Sequence, residues 1–389
     1  AEQLVRAGGP AYVKLGQFVA SADGLLHEEW VRAFGWCRDR VPPVPGEVAE
    51  AVVRRELGER FGDLLDFEPE SFAAASIGQV HRARLADDTD VVVKVRRPRL
   101  RARFAADVEA LALVAAAAHR LRPGVRVANL PGFVELFARL ALEELDFRLE
   151  ALNMVELGAC FHDAGLDYCA FPRPVPGMVS ERVLVMEALP GVPFTEAAAA
   201  YGPALDGDRL LELAITGVLE GTLAYGLFHG DMHAGNVLIA QGGTFSLVDF
   251  GICGRLDAHQ RAALVRFMLA FAAMDAARQL DALEGFGALP PHADPAALAA
   301  ALQVELDRLP AVGVTFDRLG ESLGSVLRVL AAAGFRLPRE LVLFFKNLLY
   351  LNGFAAAVAP EADLLAQIAP VLAHFGDKYG GEMLAAALA

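Results

Sequence analysis

The spacing of apolar positions changes character several times along the chain. Residues 1 to about 40 read as helical: Gly8-Gly9-Pro10 opens a helix with Pro in its first turn, and Tyr12 to Val19 continues it. Lys14 and Gln17, three residues apart, share one face of that helix. The Pro-dense stretch Val41 to Gly46 breaks it, and a second helix follows from about Glu47 to Leu57. From Phe67 the pattern changes to strand. Phe72 to Leu85 reads as strand, loop, strand, then Asp87 to Asp90 is a polar turn. The β-branched run Val91-Val92-Val93-Lys94-Val95 is a further strand, so a hairpin is predicted. Arg101–Leu121 and Leu130–Asn153 read as two long helices. The strand pattern returns between Pro172 and Leu189, and Pro190-Gly191 ends it as a linker. Asp208–Tyr225 is a predicted helix, and everything from Ala258 onward reads as helical. A β-rich segment before a helical half predicts an α+β chain, with a small sheet lobe on a larger helical lobe and a helical extension in front. The divisions predicted are 1–66, 67–189 and 190–389.

Composition sharpens this picture. Hydrophobic residues make up 55% of the 389, with a mean hydropathy of +0.37. Much of that is alanine, which favours helix. A formal net charge of −14 argues against nucleic acid as a partner. The basic cluster from Lys94 to Arg99 reads as a solvated turn after a strand. The four cysteines show no C-x-x-C spacing, so neither a zinc site nor a disulfide framework is expected, and a reducing compartment is the default. No apolar h-region opens the sequence, so no signal peptide is expected. Leu341–Ala359 is nearly long enough to span a bilayer, but Lys346, Asn347, Asn352 and Gly353 interrupt it, and a charge near mid-span is costly. It is predicted to be a buried helix of the helical lobe.

The chemistry concentrates between Phe228 and Gly254. Asp231 and Asn236 have the D-x-x-x-x-N spacing of a kinase catalytic loop, and Asp249-Phe250-Gly251 follows an apolar run. Transfer of phosphoryl from ATP needs this set of parts: one carboxylate facing the acceptor, and an amide oxygen plus a second carboxylate for Mg²⁺. Asp231 is thus the candidate base or orienting group, and Asn236 and Asp249 are the candidate metal ligands. Lys94, in an otherwise apolar strand, needs a partner because an unpaired buried charge is expensive. A kinase strand lysine contacts the ATP phosphates and a helix glutamate. Here the helix Leu130–Asn153 offers Glu135, Glu143, Glu144, Asp146 and Glu150, and spacing does not choose among them. The segment Ala73-Ala74-Ala75-Ser76-Ile77-Gly78 stands where a glycine-rich phosphate loop would be, yet holds one glycine. Met186 and Glu187, just before the Pro190-Gly191 linker, complete the candidate nucleotide contacts. His229-Gly230-Asp231 replaces H-R-D and removes a common anchor for a phosphorylated activation loop; His229 and His233 are read as packing residues.

Together these segments resemble the UbiB/AarF (ADCK) family of atypical kinases. Lys14-Leu15-Gly16-Gln17 is similar to its K-x-G-Q motif, Ala73–His81 to its alanine-rich nucleotide loop, and Val93-Lys94-Val95 to its strand lysine. Glu144-Leu145-Asp146 resembles its E-x-D motif, and Phe228–Asn236 and Asp249–Gly251 its two catalytic loops, with Ala234 where the family usually has Pro. The resemblance implies a protein-kinase-like two-lobed fold whose helical extension, carrying Lys14 and Gln17, lies over the nucleotide site. It implies that Glu144 meets the extension, with Asp146 in the same regulatory motif, and that Glu150 pairs with Lys94. It also implies ATP and Mg²⁺ as cofactors and ATPase, lipid-kinase or small-molecule-kinase activity in support of isoprenoid-quinone (ubiquinone) metabolism. The implied setting is cytoplasmic, with peripheral contact at the inner face of a membrane and with biosynthetic enzymes as partners.

Two other readings compete. A soluble small-molecule kinase of the aminoglycoside or choline kinase type would explain His229-Gly230-Asp231, but the K-x-G-Q helix would obstruct its acceptor cleft. A nucleotide-gated scaffold without catalysis would explain the alanine loop and a covered cleft.

Overall fold

The computed structural model describes residues 10–20, 43–74, 76–121, 130–287, 294–307, 326, 329–330, 338–362, 370–371 and 373–381. The strand patterns assemble into one antiparallel sheet of six strands: β1 (Leu64–Leu65), β2 (Ala73–Ala74), β3 (Gly78–Leu85), β4 (Asp90–Arg96), β6 (Pro174–Val179) and β7 (Val183–Glu187). Their order is β1-β3-β4-β7-β6, with β2 on β3. The hairpin is β3–β4, in register from Gly78 opposite Arg96 to Arg84 opposite Asp90.

Strand alternation decides what Lys94 faces. Val91, Val93 and Val95 are buried on one side of β4 against Ala49, Val52 and Val53 of helix α2 (Gly46–Leu57). Lys94 therefore projects from the opposite side. That side carries the helices inserted between β4 and β6: α3 (Leu100–Leu121), α4 (Leu130–Glu143) and α5 (Phe147–Asp163). The extension helix α1 (Pro10–Ala20) packs on α3 and α4, with Ala11 fully buried.

The predicted single helix Leu130–Asn153 is two helices. It stops at Glu143, and Asp146 caps the next one by accepting the Arg148 backbone N–H at 3.1 Å. An aspartate that satisfies a free helical N–H fixes a helix start where apolar spacing alone reads as continuous. The break turns Glu144 and Glu150 in different directions.

The second half is mostly helical. A small sheet, β5 (Cys169–Ala170), β11 (Phe245–Leu247), β10 (Val237–Ile239) and β8 (Val192–Pro193), in that order, carries the catalytic-loop segment. A two-stranded ladder joins β9 (Leu227–His229) to β12 (Cys253–Arg255). Around these pack α6 (Phe194–Tyr201), α7 (Gly207–Leu219), α8 (Ala258–Ala272), α9 (Ala276–Glu284), α10 (Pro295–Asp307) and α11 (Arg339–Val358). The predicted helix Asp208–Tyr225 ends in a π-helical turn, Glu220–Tyr225. Among the described residues α11 alone is long and apolar enough to cross a membrane, and half of its most apolar window is buried in the protein. Phe344 and Phe345 of α11 belong to one apolar core and Leu351 and Phe354 to another, which also takes in Ile77, Leu184 and Met186 of the sheet lobe.

Candidate active site

The ladder between β9 and β12 sets the site, because it clamps together the two loops that carry Asp231 and Asp249. His229 lies opposite Cys253, and Gly230 N–H donates to the Ile252 carbonyl at 2.8 Å. A Cβ at position 230 would come within 2.7 Å of the Ile252 side chain and 3.0 Å of its carbonyl oxygen. This crowding accounts for glycine where H-R-D loops carry arginine. The buried ring of His229 then ties the loops polar to polar. Its Nε2 donates to the Asp249 carbonyl at 2.7 Å, and its Nδ1 accepts the Asp231 N–H at 3.1 Å. That pair of bonds requires the neutral ring, and burial lowers its pKa accordingly, against the pull of Asp231 and Asp249.

Asp249 has a left-handed backbone, φ +71°. Such a conformation is sparsely populated for a residue with a Cβ, and Asp tolerates it better than most. Phe250 holds it in place. Its ring is fully buried, against Phe171 and edge-on to His229. Burying such a ring contributes roughly 1.5–3 kcal/mol. From α5, Asn153 Nδ2 donates to the Phe250 carbonyl at 2.8 Å and Glu150 accepts the Phe250 N–H at 3.2 Å.

Lys94 bridges the lobes. Its Nζ is 2.6 Å from Glu150 Oε1 and 3.0 Å from Asp249 Oδ2. Burial opposes its charge, but Asp249 and Glu150 outweigh that and raise its pKa, so it is an ammonium. Burial pushes Glu150 up to about 7 even with Lys94 beside it. Lys14 of α1 reaches Glu144, Nζ to Oε2 2.5 Å. Glu144 is raised by burial, and its other oxygen has no partner among the described residues. A Cβ on Gly251 would lie 3.3 Å from Glu144, so this contact sits over the Asp-Phe-Gly turn.

Asp231 meets residues that sequence reasoning assigned to packing. Lys346 Nζ of α11 is 2.7 Å from Asp231 Oδ1, and the Tyr350 hydroxyl donates to the same oxygen at 3.1 Å. Asn347 donates to the His229 carbonyl. Burial raises the Asp231 pKa, but Lys346 and His233 outweigh it and hold it well below the carboxylate range. The signal in the sequence was the pair Lys346-Asn347 within an apolar run: a charge there demands a buried partner. His233 caps the short turn Ala234–Asn236 by accepting the Gly235 N–H at 3.0 Å.

The oxygen donors suit magnesium. Asn236 is buried, and its Nδ2 is committed to the Asp231 carbonyl at 2.9 Å, so the amide oxygen is the atom it could offer a metal. Mg²⁺ favours one or two protein oxygens completed by phosphate and water. Among the described residues no group of three or more His, Cys, Asp or Glu forms an all-protein metal cage.

The remaining candidates lie differently. Ala73 and Ala74 are in strand β2, opposite Val80 and Gln79, rather than in a loop. Short strand pairing has absorbed the first two alanines, and Ser76 and Ile77 form a bend just before β3. Ser76 is buried, and Ala75 and the Gln17 side chain lie outside the described residues. Met186 is buried in the main core, and the Glu187 carboxylate is taken by Arg173, Nε to Oε1 2.8 Å. Asp146 caps α5 and pairs with Arg148 at 2.7 Å.

A family model described as the ABC1 atypical kinase-like domain matches residues 37–282. The chain is 36% identical over 380 residues to the uncharacterized protein Rv0647c of Mycobacterium tuberculosis, covering 94% of this chain and 76% of that one. It is 32% identical over 389 residues to an uncharacterized aarF domain-containing protein kinase, At5g05200, of Arabidopsis thaliana, covering 93% and 72%. It is 30% identical over 372 residues to a probable protein kinase UbiB of Pseudomonas putida, covering 94% and 68%. The solved structure of Mycobacterium tuberculosis Rv3197 with erythromycin shares the fold at a TM-score of 0.53 and 20% identity, over 92% of this chain and 93% of that one. On its fold, its loops and these relatives, the chain belongs to the ABC1/UbiB family of atypical kinases.

Proposed function

We propose that the cleft binds Mg·ATP and hydrolyses it or transfers its terminal phosphoryl group to a lipid or small molecule. The observation that carries this reading is the position of Lys94, within 3.0 Å of both Glu150 and Asp249. A strand lysine held by a helix glutamate and by the Asp-Phe-Gly aspartate is the arrangement that grips ATP phosphates beside a metal. In this reading Asn236 and Asp249 hold Mg²⁺, which supplies charge neutralisation on the phosphates. Lys94 orients the phosphates, Glu150 fixes Lys94, and Asp231 orients the acceptor. The extension 1–66, the sheet lobe 67–189 and the helical lobe 190–389 are the proposed working units, with α2 and β1 of the first joined to the sheet of the second. Support of isoprenoid-quinone or related lipid metabolism, from the cytoplasmic side of a membrane and beside biosynthetic enzymes, is the proposed setting. The test is Mg·ATP binding and ADP release by wild type and Asp249→Asn, with and without liposomes and quinone-precursor-like phenols. Unchanged binding and turnover in the variant would sink the reading.

A second reading, a nucleotide-gated scaffold without turnover, draws support from the Lys14–Glu144 contact, which closes α1 over the Asp-Phe-Gly turn. Thermal stabilisation by nucleotide with no ADP produced, even with those lipids and phenols present, favours it over catalysis.

A further inference from the structure

Lys346 is the cation of this site that none of the kinase-like motifs contains. It lies 115 residues beyond Asp231, in an apolar helix, with only 11% of its side chain exposed. Among the described residues Asp231 is the sole hydrogen-bond partner of its ammonium. A plain anchoring role is the alternative, but anchoring is already served by neutral groups. The Asn347 amide holds the His229 carbonyl, and the Tyr350 hydroxyl holds Asp231 Oδ1 at 3.1 Å. A buried ammonium costs desolvation that a methionine of similar length would avoid, so a buried ion pair is weak evidence of a stabilising purpose. Its position suits a different purpose. Asp231 faces the acceptor, and an ammonium 2.7 Å from its Oδ1 sits within reach of whatever group arrives there. An ammonium has three donors, and Asp231 takes one of them. The catalytic loop itself offers at that point only His233, whose Nδ1 is committed to the Gly235 N–H and whose Nε2 is 3.9 Å from Asp231. Phosphoryl transfer runs through a loose state with charge on three equatorial oxygens, where a fixed cation in a water-poor site is most effective.

We propose that Lys346 is a catalytic residue, the cation that contacts the transferring phosphoryl group between Asp231 and the terminal phosphate of the nucleotide. This rests on the Mg·ATP reading of the cleft. In the step it serves, the bond from the terminal phosphorus to the bridging oxygen breaks and its electron pair leaves with ADP. The oxygen of water, or of an alcohol or phenol acceptor, forms the new bond to phosphorus. The proton of that oxygen passes to Asp231 and from there to solvent, while Lys346 keeps all of its own.

The experiment uses the full chain and two probes, Mg·ADP alone and Mg·ADP with fluoroaluminate, which mimics the transferring group. Lys346→Met is expected to keep its Mg·ADP affinity within about twofold while losing roughly 10²–10³-fold in affinity for the fluoroaluminate complex, the loss typical of one missing charge-stabilising donor. ADP release from ATP is expected to fall by a similar factor, and Lys346→Arg to recover part of both. Should Lys346→Met fold poorly, Lys346→Gln keeps a hydrogen bond to Asp231 without the charge and carries the same expectation. Equal fluoroaluminate affinity in wild type and variant overturns the proposal, as does an equal loss for both probes, which would mark a structural role. Wild-type protein that binds neither probe overturns the Mg·ATP reading, and this proposal with it. Normal binding by wild type with an unaffected variant overturns this proposal alone.

Discussion

The His229 ring donates to the carbonyl of Asp249 at 2.7 Å, so one imidazole couples the catalytic loop to the Asp-Phe-Gly turn. The same ring accepts the Asp231 N–H, and it can do so only while neutral. Burial holds its pKa below 6.5 in the folded state. The unfolded chain therefore takes up a proton first as pH falls, and the stability contributed by neutral His229 is complete above 6.5 and lost below it. The midpoint of thermal unfolding, measured without nucleotide, is expected to fall as pH drops below about 6.5, and His229→Gln is expected to flatten that slope. An equally steep slope in the variant would contradict the assignment.

Lys94→Met should destabilise the protein in a pH-dependent way. The substitution leaves Glu150, which is almost wholly buried, facing an apolar group. Burial already pushes Glu150 up to about 7, above its ordinary 4.5. A folded-state carboxyl pKa above the unfolded value costs stability as pH rises between the two, and the variant widens that interval. The expected loss is about 3–5 kcal/mol near pH 8 and smaller near pH 5.5, read by denaturant unfolding. A loss independent of pH would show that Glu150 does not carry it.

Lys14 and Glu144 are expected to behave as a coupled pair. Their 2.5 Å contact is largely buried, and it is a point where α1 holds the turn between α4 and α5. In a double-mutant cycle on thermal stability, Lys14→Ala and Glu144→Gln should fall short of additivity by about 0.5–3 kcal/mol. Strict additivity would mean that the contact contributes nothing.

Glu220 anchors the helical residues 373–381. It is fully buried in the π-helical turn, and Lys378, Tyr379 and His374 all bind its carboxylate. Glu220→Ala should therefore release that segment, at a cost of about 1.5–3 kcal/mol for the lost hydrogen bonds to the carboxylate. Hydrogen exchange is expected to show protection lost first in 373–381, with the β3–β4 hairpin unaffected at early times. Uniform loss across both would argue for a global role instead.

Asn153→Ala removes the 2.8 Å bond to the Phe250 carbonyl and one partner of Arg255, which also pairs with Glu156. The buried carbonyl then keeps only the weak Cys253 Sγ donor at 3.9 Å, a cost of about 1–3 kcal/mol. Loosening of the Asp249 turn should weaken Mg·ATP binding more than ADP binding without metal. Equal weakening of both would place the effect outside the Asp249 turn.

Local chemistry made much of the fold legible. The β-branched run Val91–Val95 favours a strand, and the polar turn before it joins that strand to the preceding one as a hairpin. The order of β-rich before helical segments likewise foretold the small sheet lobe and the helical remainder. The break at 144–146 was missed because apolar spacing continues through it, and what stops the helix is a single side-chain hydrogen bond from Asp146. Ala73 and Ala74 went to a strand because two residues of pairing with Val80 and Gln79 are decided by the partner strand, not by alanine.

The sequence by itself determined the candidates for phosphate and magnesium chemistry, Lys94, Asp231, Asn236 and Asp249, through residue type and spacing. Only the tertiary structure decided which charges face one another. Glu150 meets Lys94 across 56 residues and Lys346 meets Asp231 across 115, and no periodicity connects such positions. Lys346 reads as an interruption of an apolar helix until α11 is packed against the catalytic loop. The energy of a buried charge depends on what lies within a few ångströms of it, and that neighbourhood exists only once the chain has folded.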